Sequence, residues 1–188
     1  MHKFFETERL NAFIVDEGSA MQLLAYEREN RAWFSKFSHR RKDEYYTLDN
    51  LQSYCEKQVA LYEHKQKLPL VFSMKGSSSI IAQVSLSEIT YGSSYSAKLG
   101  YSTAKKWKRQ GIGTEAVLSV IEYAFNTLKL HRLEATIMTK NHPSLGFAAS
   151  LGFVQEGISR DYLLIKGKWE DYYQLALLNE RHSMGRKG

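Results

Sequence analysis

Between Ile112 and Leu128 the apolar residues Ile112, Ala116, Val117, Val120, Ile121, Ala124, Phe125 and Leu128 recur at three-to-four spacing, the clearest periodic signal in the chain. One face of an α-helix returns every 3.6 residues, so this stripe predicts a long helix with one side buried. A helix that buries a face needs a layer to bury it against, and strand-like runs stand on either side. Upstream, residues 70–74, 80–86 and 97–102 are separated by KGSSS and by YGSSYS, which are turn compositions, and read as an antiparallel meander. Downstream, residues 132–139 read as a strand, 142–151 as a short helix, and 154–164 and 172–178 as strands joined across KGKWED. Nearer the N-terminus, FETERLNAFI reads as one strand and Asp16 as the cap of a helix through about Tyr26. WFSKFSHRRKDEYY reads as a loop, and Thr47 as the cap of a helix carrying Leu51, Tyr54, Cys55, Leu61 and Tyr62. The expected class is α/β (α+β), a mixed and mostly antiparallel sheet flanked by helices.

The chain has 188 residues, 43% of them hydrophobic, only two prolines, and neither a repeat nor a low-complexity run. That suits a single domain over residues 1–188, with its core at about 5–178. No run of about 18 apolar residues is present for a membrane span, and MHKFFETERL lacks the basic-then-apolar design of a secretory signal, so a cytoplasmic location without membrane attachment is expected. A lone cysteine, Cys55, makes no internal disulfide, and no histidine sits at ligand-like spacing from another histidine or a cysteine, so no metal is expected. The net charge of +6 favours anionic partners such as a phosphorylated cofactor, RNA or a ribosomal surface.

Just before the striped helix stands KKWKRQGIGTEAV, four cationic side chains followed by two glycines. A dinucleotide fingerprint should follow a strand directly and find an acidic residue about 20 residues later at a strand end. Here the last good strand residue is Ser102 and Glu134 lies inside a strand, so both conditions fail. The glycine spacing and following Lys-Ser/Thr of a Walker loop are missing too. A simpler phosphate cradle fits: Gly111 and Gly113 permit close approach, the first helical turn offers unpaired N–H groups, and Arg109 adds a charge-assisted hydrogen bond. On these residues alone the stretch is equally a plain turn at a solvated helix entrance.

The run Arg109-Gln110-Gly111-Ile112-Gly113-Thr114 resembles the pyrophosphate-binding motif of the GNAT acetyltransferases, preceded by the strand LGYS and followed by the long helix. Asn141 and Ser144 in NHPSLGFAASLGFVQEG, with LHRLEA, DYLLIKGKWED, FETERL and ENRAWF, are similar to the RimJ/RimL branch, the ribosomal-protein-alanine N-acetyltransferases. The resemblance implies a single GNAT domain whose sheet is splayed at its centre, binding acetyl-CoA as co-substrate without a metal and passing acetyl to an amine. The implied acceptor is the N-terminal α-amine of a ribosomal protein; polyamine or aminoglycoside acetylation, or ribosome or RNA binding with little catalysis, stands as the alternative. DNA is not an expected partner, and monomer and homodimer both stay open. The chain departs from the branch after ENRAWF, where relatives carry a Pro-Trp-Glu-Pro-like segment and this chain reads SKFSHRRKDEYY, a loop near the acceptor site in the family.

By the same resemblance, Gly100, Tyr101 and Ser102 pair with pantetheine, residues 109–114 hold the pyrophosphate, Asn141 steadies the pantetheine arm, and Ser144 points its hydroxyl at the departing sulfur. Direct attack on a thioester needs a neutral amine. An α-amine with a pKa of about 8 is roughly a tenth neutral at pH 7, whereas a lysine leaves only about 0.04%. A weakly basic carboxylate or a water chain therefore suffices, and Glu134 and Glu88 are the candidate bases, each also readable as an ion-paired surface carboxylate. Trp33, Phe34, Phe37, Tyr45 and Tyr46 are candidates to line an acceptor groove or to pack in the core. The run HRRK at 39–42 reads as a solvated loop or as a contact to rRNA, and Cys55 as a small buried hydrophobe.

Overall fold

The computed structural model describes residues 1–37 and 41–180. The strands are β1 (His2–Glu6), β2 (Leu10–Ile14), β3 (Lys67–Met74), β4 (Ile80–Thr90), β5 (Ser96–Thr103), β6 (Arg132–Met138), β7 (Val154–Ile165) and β8 (Lys168–Leu178). They form one sheet in the order β1-β2-β3-β4-β5-β6-β8-β7. The helices are α1 (Ala20–Phe34), α2 (Leu48–Glu63), α3 (Ile112–Asn126) and α4 (His142–Ser150). Every neighbouring pair of strands is antiparallel except β5 and β6, which α3 connects in parallel. Strand β3 is apolar on both faces, LPLVF, because helices cover the sheet from both sides. Leu70 and Phe72 enter the core shared with Val117, Val120 and Ile121 of α3, while Val71 between them enters the core shared with Leu23, Leu51 and Cys55 of α1 and α2.

Three expectations change in the structure. FETERLNAFI is a hairpin, not one strand: Thr7 N–H donates to the Leu10 carbonyl at 2.9 Å, and the polar TER turn reverses the chain. Helix α1 runs on to Phe34, taking Trp33 and Phe34 out of the expected loop. It begins beyond a short turn in which Asp16 N–H donates to Ser19 Oγ at 3.0 Å and that hydroxyl donates back to the Asp16 carboxylate at 2.8 Å. The connection across KGKWED is much tighter, with the left-handed pair Lys166 and Gly167 turning β7 straight into β8. Thr47 caps α2, accepting from Asn50 N–H at 3.4 Å. Of the run at 39–42, residues 39 and 40 lie outside the described residues. No described helix is long and apolar enough to cross a membrane.

The one parallel pair positions the site. Strands β5 and β6 are in register only at Ser96↔Arg132, Ala97↔Leu133 and Lys98↔Glu134, and beyond Lys98 they part. Residues 99–103 remain paired with β4 on one edge and have an open backbone edge on the other.

Candidate active site

The opening between β5 and β6 faces the N-termini of α3 and α4. At α3 the chain turns through two left-handed residues, Arg109 (φ 57°) and Gly111 (φ 77°), separated by Gln110. For Arg109 this conformation costs about 1 kcal/mol, while glycine adopts it freely. The first helical hydrogen bond runs from Glu115 N–H to the Gly111 carbonyl at 2.9 Å, so Ile112, Gly113 and Thr114 have no carbonyl one turn earlier to receive their N–H groups. Gly113 packs where a Cβ would meet Thr103 Oγ1 at 2.9 Å, which brings the helix start hard against the end of β5. Arg9 braces the turn from the β1–β2 hairpin, donating to the Gln110 carbonyl at 3.0 Å and to Glu115 Oε2 at 2.6 Å.

Positive charge collects beside this turn. Partial burial, then the neighbouring charges of Arg109, Lys36 and Lys105, depress the Lys108 ammonium below its ordinary value. Lys108 Nζ lies 3.8 Å over the Trp33 ring. The indole N–H of Trp107 is buried and has no hydrogen-bond partner among the described residues. Open backbone donors, a helix N-terminus and crowded cations together fit a phosphorylated ligand.

At α4, Asn141 is the cap: its side-chain oxygen accepts from Ser144 N–H at 3.3 Å, and Pro143 sits in the first turn, where its missing N–H costs nothing. The Ser144 hydroxyl lies 2.9 Å from the Tyr101 hydroxyl of β5, so this pair bridges the parted strands' two sides. Burial raises the Tyr101 phenol above its ordinary value, partly offset by the Ser144 hydrogen bond, so both groups stay protonated near neutral pH.

One cavity of about 710 Å³ is lined by Arg109, Gly111, Gly113 and Thr114 of the turn, by Asn141 and Ser144 of α4, and by Tyr101 and Ser102 of β5. Trp33, Phe34 and Phe37 line it as well, whereas Tyr46 is buried in the α1–α2 core. A smaller cavity of about 250 Å³ shares Arg41, Gln83, Tyr101 and Ser102 with it and is lined also by Gly100, Ser85 and Tyr54. Two expected contacts are backbone only: the Ile112 side chain is in the core, and the Gln110 amide donates to the Lys106 carbonyl at 2.7 Å. Glu134 is not brought to either cavity. It stands where β5 and β6 are still paired, with its carboxylate on Arg132 Nε at 2.7 Å, and Glu88 is exposed on Lys98 Nζ at 2.6 Å. Among the described residues no group of three metal-ligating side chains occurs.

The carboxylate that does line the large cavity is Glu27 of α1, with Arg41 and Gln83 beside it. Sequence reasoning passed over it, yet a signal was there. Leu23, Glu27, Asn30 and Phe34 share one helix face, and two polar residues on a buried stripe need partners. Asn30 finds its own in the Lys105 N–H at 2.8 Å and the Tyr26 carbonyl at 2.9 Å, tying α1 to the segment that leads into α3. Cys55 is buried, and burial, then Asp16 and Glu56, pushes its thiol up to about 11, the character of a packing residue.

Known proteins agree with this geometry. Residues 15–154 match the acetyltransferase (GNAT) domain. The chain is 37% identical over 160 residues to the probable N-acetyltransferase YjcK of Bacillus subtilis (strain 168), covering 85% of this chain and 88% of that protein. It is 32% identical over 184 residues to the ribosomal protein uS5-alanine N-acetyltransferase of Escherichia coli (strain K12), covering 96% and 93%. The crystal structure of a ribosomal-protein-S5-alanine acetyltransferase from Vibrio fischeri superposes with a TM-score of 0.87 at 29% identity, covering 94% and 96%. The chain therefore belongs to the GNAT acetyltransferase family, in its RimJ/RimL-like part, and is an N-acetyltransferase that uses acetyl-CoA.

Proposed function

We propose that this enzyme acetylates the N-terminal α-amine of a ribosomal protein, in the cytoplasm where such acceptors are made. The observation that carries the reading is that one cavity joins the phosphate turn and Ser144 to an aromatic wall of Trp33, Phe34 and Phe37 suited to an extended peptide. The relatives named as ribosomal protein alanine acetyltransferases, matching nearly the whole chain, support the acceptor class.

In this reading acetyl-CoA supplies an activated thioester. The N–H groups of residues 110–114 and the Arg109 guanidinium hold its pyrophosphate, and the open edge of Gly100, Tyr101 and Ser102 takes up the pantetheine amides as an added strand would. The Asn141 cap keeps α4 in place. Ser144, with its hydroxyl held by Tyr101, donates to the developing thiolate. Glu134 takes no part.

The test is a panel of peptide N-termini, lysine side chains, polyamines and aminoglycosides incubated with enzyme and acetyl-CoA, followed by thiol release and intact mass. Peptides with a free α-amine are expected to gain one acetyl group. Inert peptides beside an acetylated polyamine or aminoglycoside would contradict the reading.

A further inference from the structure

Glu27 has a 7% exposed side chain in the wall of the large cavity, and the transfer described above makes no use of it. A buried carboxylate is costly unless charge and hydrogen bonds compensate. Arg41 Nη1 donates to Oε2 at 2.7 Å and Gln83 Nε2 donates to Oε1 at 3.2 Å. Arg41 is itself fixed, its guanidinium 4.1 Å over the Tyr45 ring. An ionised carboxylate accepts about four hydrogen bonds, so each Glu27 oxygen retains room for a donor arriving through the cavity. An ion pair meant only to pin a loop gains nothing from standing in a cavity wall beside the acetyl-transfer site, where apolar packing would stabilise at least as well.

We propose that Glu27 is the acceptor-binding carboxylate: it receives the acceptor's ammonium group, takes one proton from it and leaves the neutral amine facing the acetyl group, with Arg41 and Gln83 as positioning residues. The inference rests on the acetyl-transfer reading above. At pH 7 roughly nine-tenths of an α-amine is protonated, so a counter-charge at the point of entry binds the abundant form. The balance is simple. Glu27 carries the first proton to solvent, the amine nitrogen bonds to the carbonyl carbon, the carbon–sulfur bond breaks, and the nitrogen's second proton reaches the thiolate by way of the Ser144 hydroxyl. The other titratable groups facing Glu27 are Tyr26, Tyr45 and Tyr54. Burial first, and the Glu27 charge with it, raises all three, Tyr54 to about 12, so they stay neutral hydroxyls, and among the described residues the Arg41 guanidinium is the one charged group bonded to the carboxylate.

The experiment is steady-state kinetics of Glu27→Gln, between about pH 6 and pH 9.5 for an α-amine, which spans its titration, and over a range moved up with the pKa where the panel shows a small amine to be acetylated instead. The thermal shift on adding acetyl-CoA should match wild type. The kcat/KM for the amine should fall about tenfold at pH 7, chiefly through KM, and the deficit should narrow to below about threefold above pH 9, where the amine is already neutral. A merely structural role predicts a deficit that does not change with pH, and that result, or wild-type kinetics, overturns the proposal. Should the Gln variant fail to fold, Gln83→Met removes one positioning donor; a threefold rise in KM with the same narrowing supports the proposal and an unchanged KM overturns it. Acetylation of small amines alone would overturn the N-terminal acceptor class and leave the Glu27 comparison decisive on that amine.

Discussion

At the scale of single residues, Ser144 is the group whose chemistry is most exposed to test. Its N–H belongs to the Asn141 cap, but its hydroxyl is free of that duty and is shared with Tyr101. Ser144→Ala should fold, keep the acetyl-CoA thermal shift and turn over at least about tenfold more slowly, the scale of losing one positioned donor; initial rates at saturating amine check it. Glu115 is a second decisive residue. Burial alone would raise its carboxyl, but Thr7 Oγ1 at 2.6 Å, Arg9 N–H at 2.8 Å and the Arg9 side chain outweigh that and hold it below its ordinary 4.5. A depressed folded-state pKa means stability that is fully present above the unfolded value and lost as pH falls through the folded one. Thermal midpoints of wild type should therefore drop from about pH 4.5 downwards, and Glu115→Gln should start lower and drop less over the same range.

At the scale of elements, the turn into α3 separates two kinds of motif residue that a sequence pattern writes side by side. Gly111 is left-handed, and a Cβ there would meet Arg9 Nη2 at 3.1 Å; Ile112 is 1% exposed in the core. Gly111→Val should abolish the acetyl-CoA thermal shift at a stability cost of about 1–2 kcal/mol. Ile112→Ala should do the reverse, costing about 2–5 kcal/mol of stability while keeping cofactor affinity. Urea unfolding with and without acetyl-CoA distinguishes the two. Most of these elements were legible in the sequence because each carries a local signal: the stripe of α3, the Thr47 cap, the turn compositions around β4. The β1–β2 hairpin was not, since TER has neither glycine nor proline to mark a turn, and its fold is decided by Glu115 more than a hundred residues away. The far half of α1 was missed because Glu27 and Asn30 interrupt its apolar face, and their partners, Gln83 and the Lys105 N–H, come from other parts of the chain.

At the scale of the whole molecule, the site exists because a single parallel pair is inserted into an otherwise antiparallel sheet and is allowed to part after Lys98. The motif residues Arg109, Gly111, Gly113, Asn141 and Ser144, which line one cavity, could be picked out as the proposed cofactor side because helix N-termini and glycines are read locally. Glu134, the candidate base read from sequence, lines neither cavity and pairs with Arg132, because alternation along a strand says which face a residue takes but not how far along the opening it stands. The proposed acceptor side, with Glu27 of α1, Gln83 of β4 and Arg41, leaves only a faint trace in the sequence, two polar residues on the buried stripe of α1, because Gln83 and Arg41 reach Glu27 from other parts of the chain. The most direct measurement is amide hydrogen exchange of the whole protein with and without acetyl-CoA. Slowed exchange is expected at residues 99–103, 109–114 and 141–147, with the β7–β8 hairpin unchanged. Protection confined to other segments, or none at 109–114, would contradict the placement of the cofactor between the parted strands.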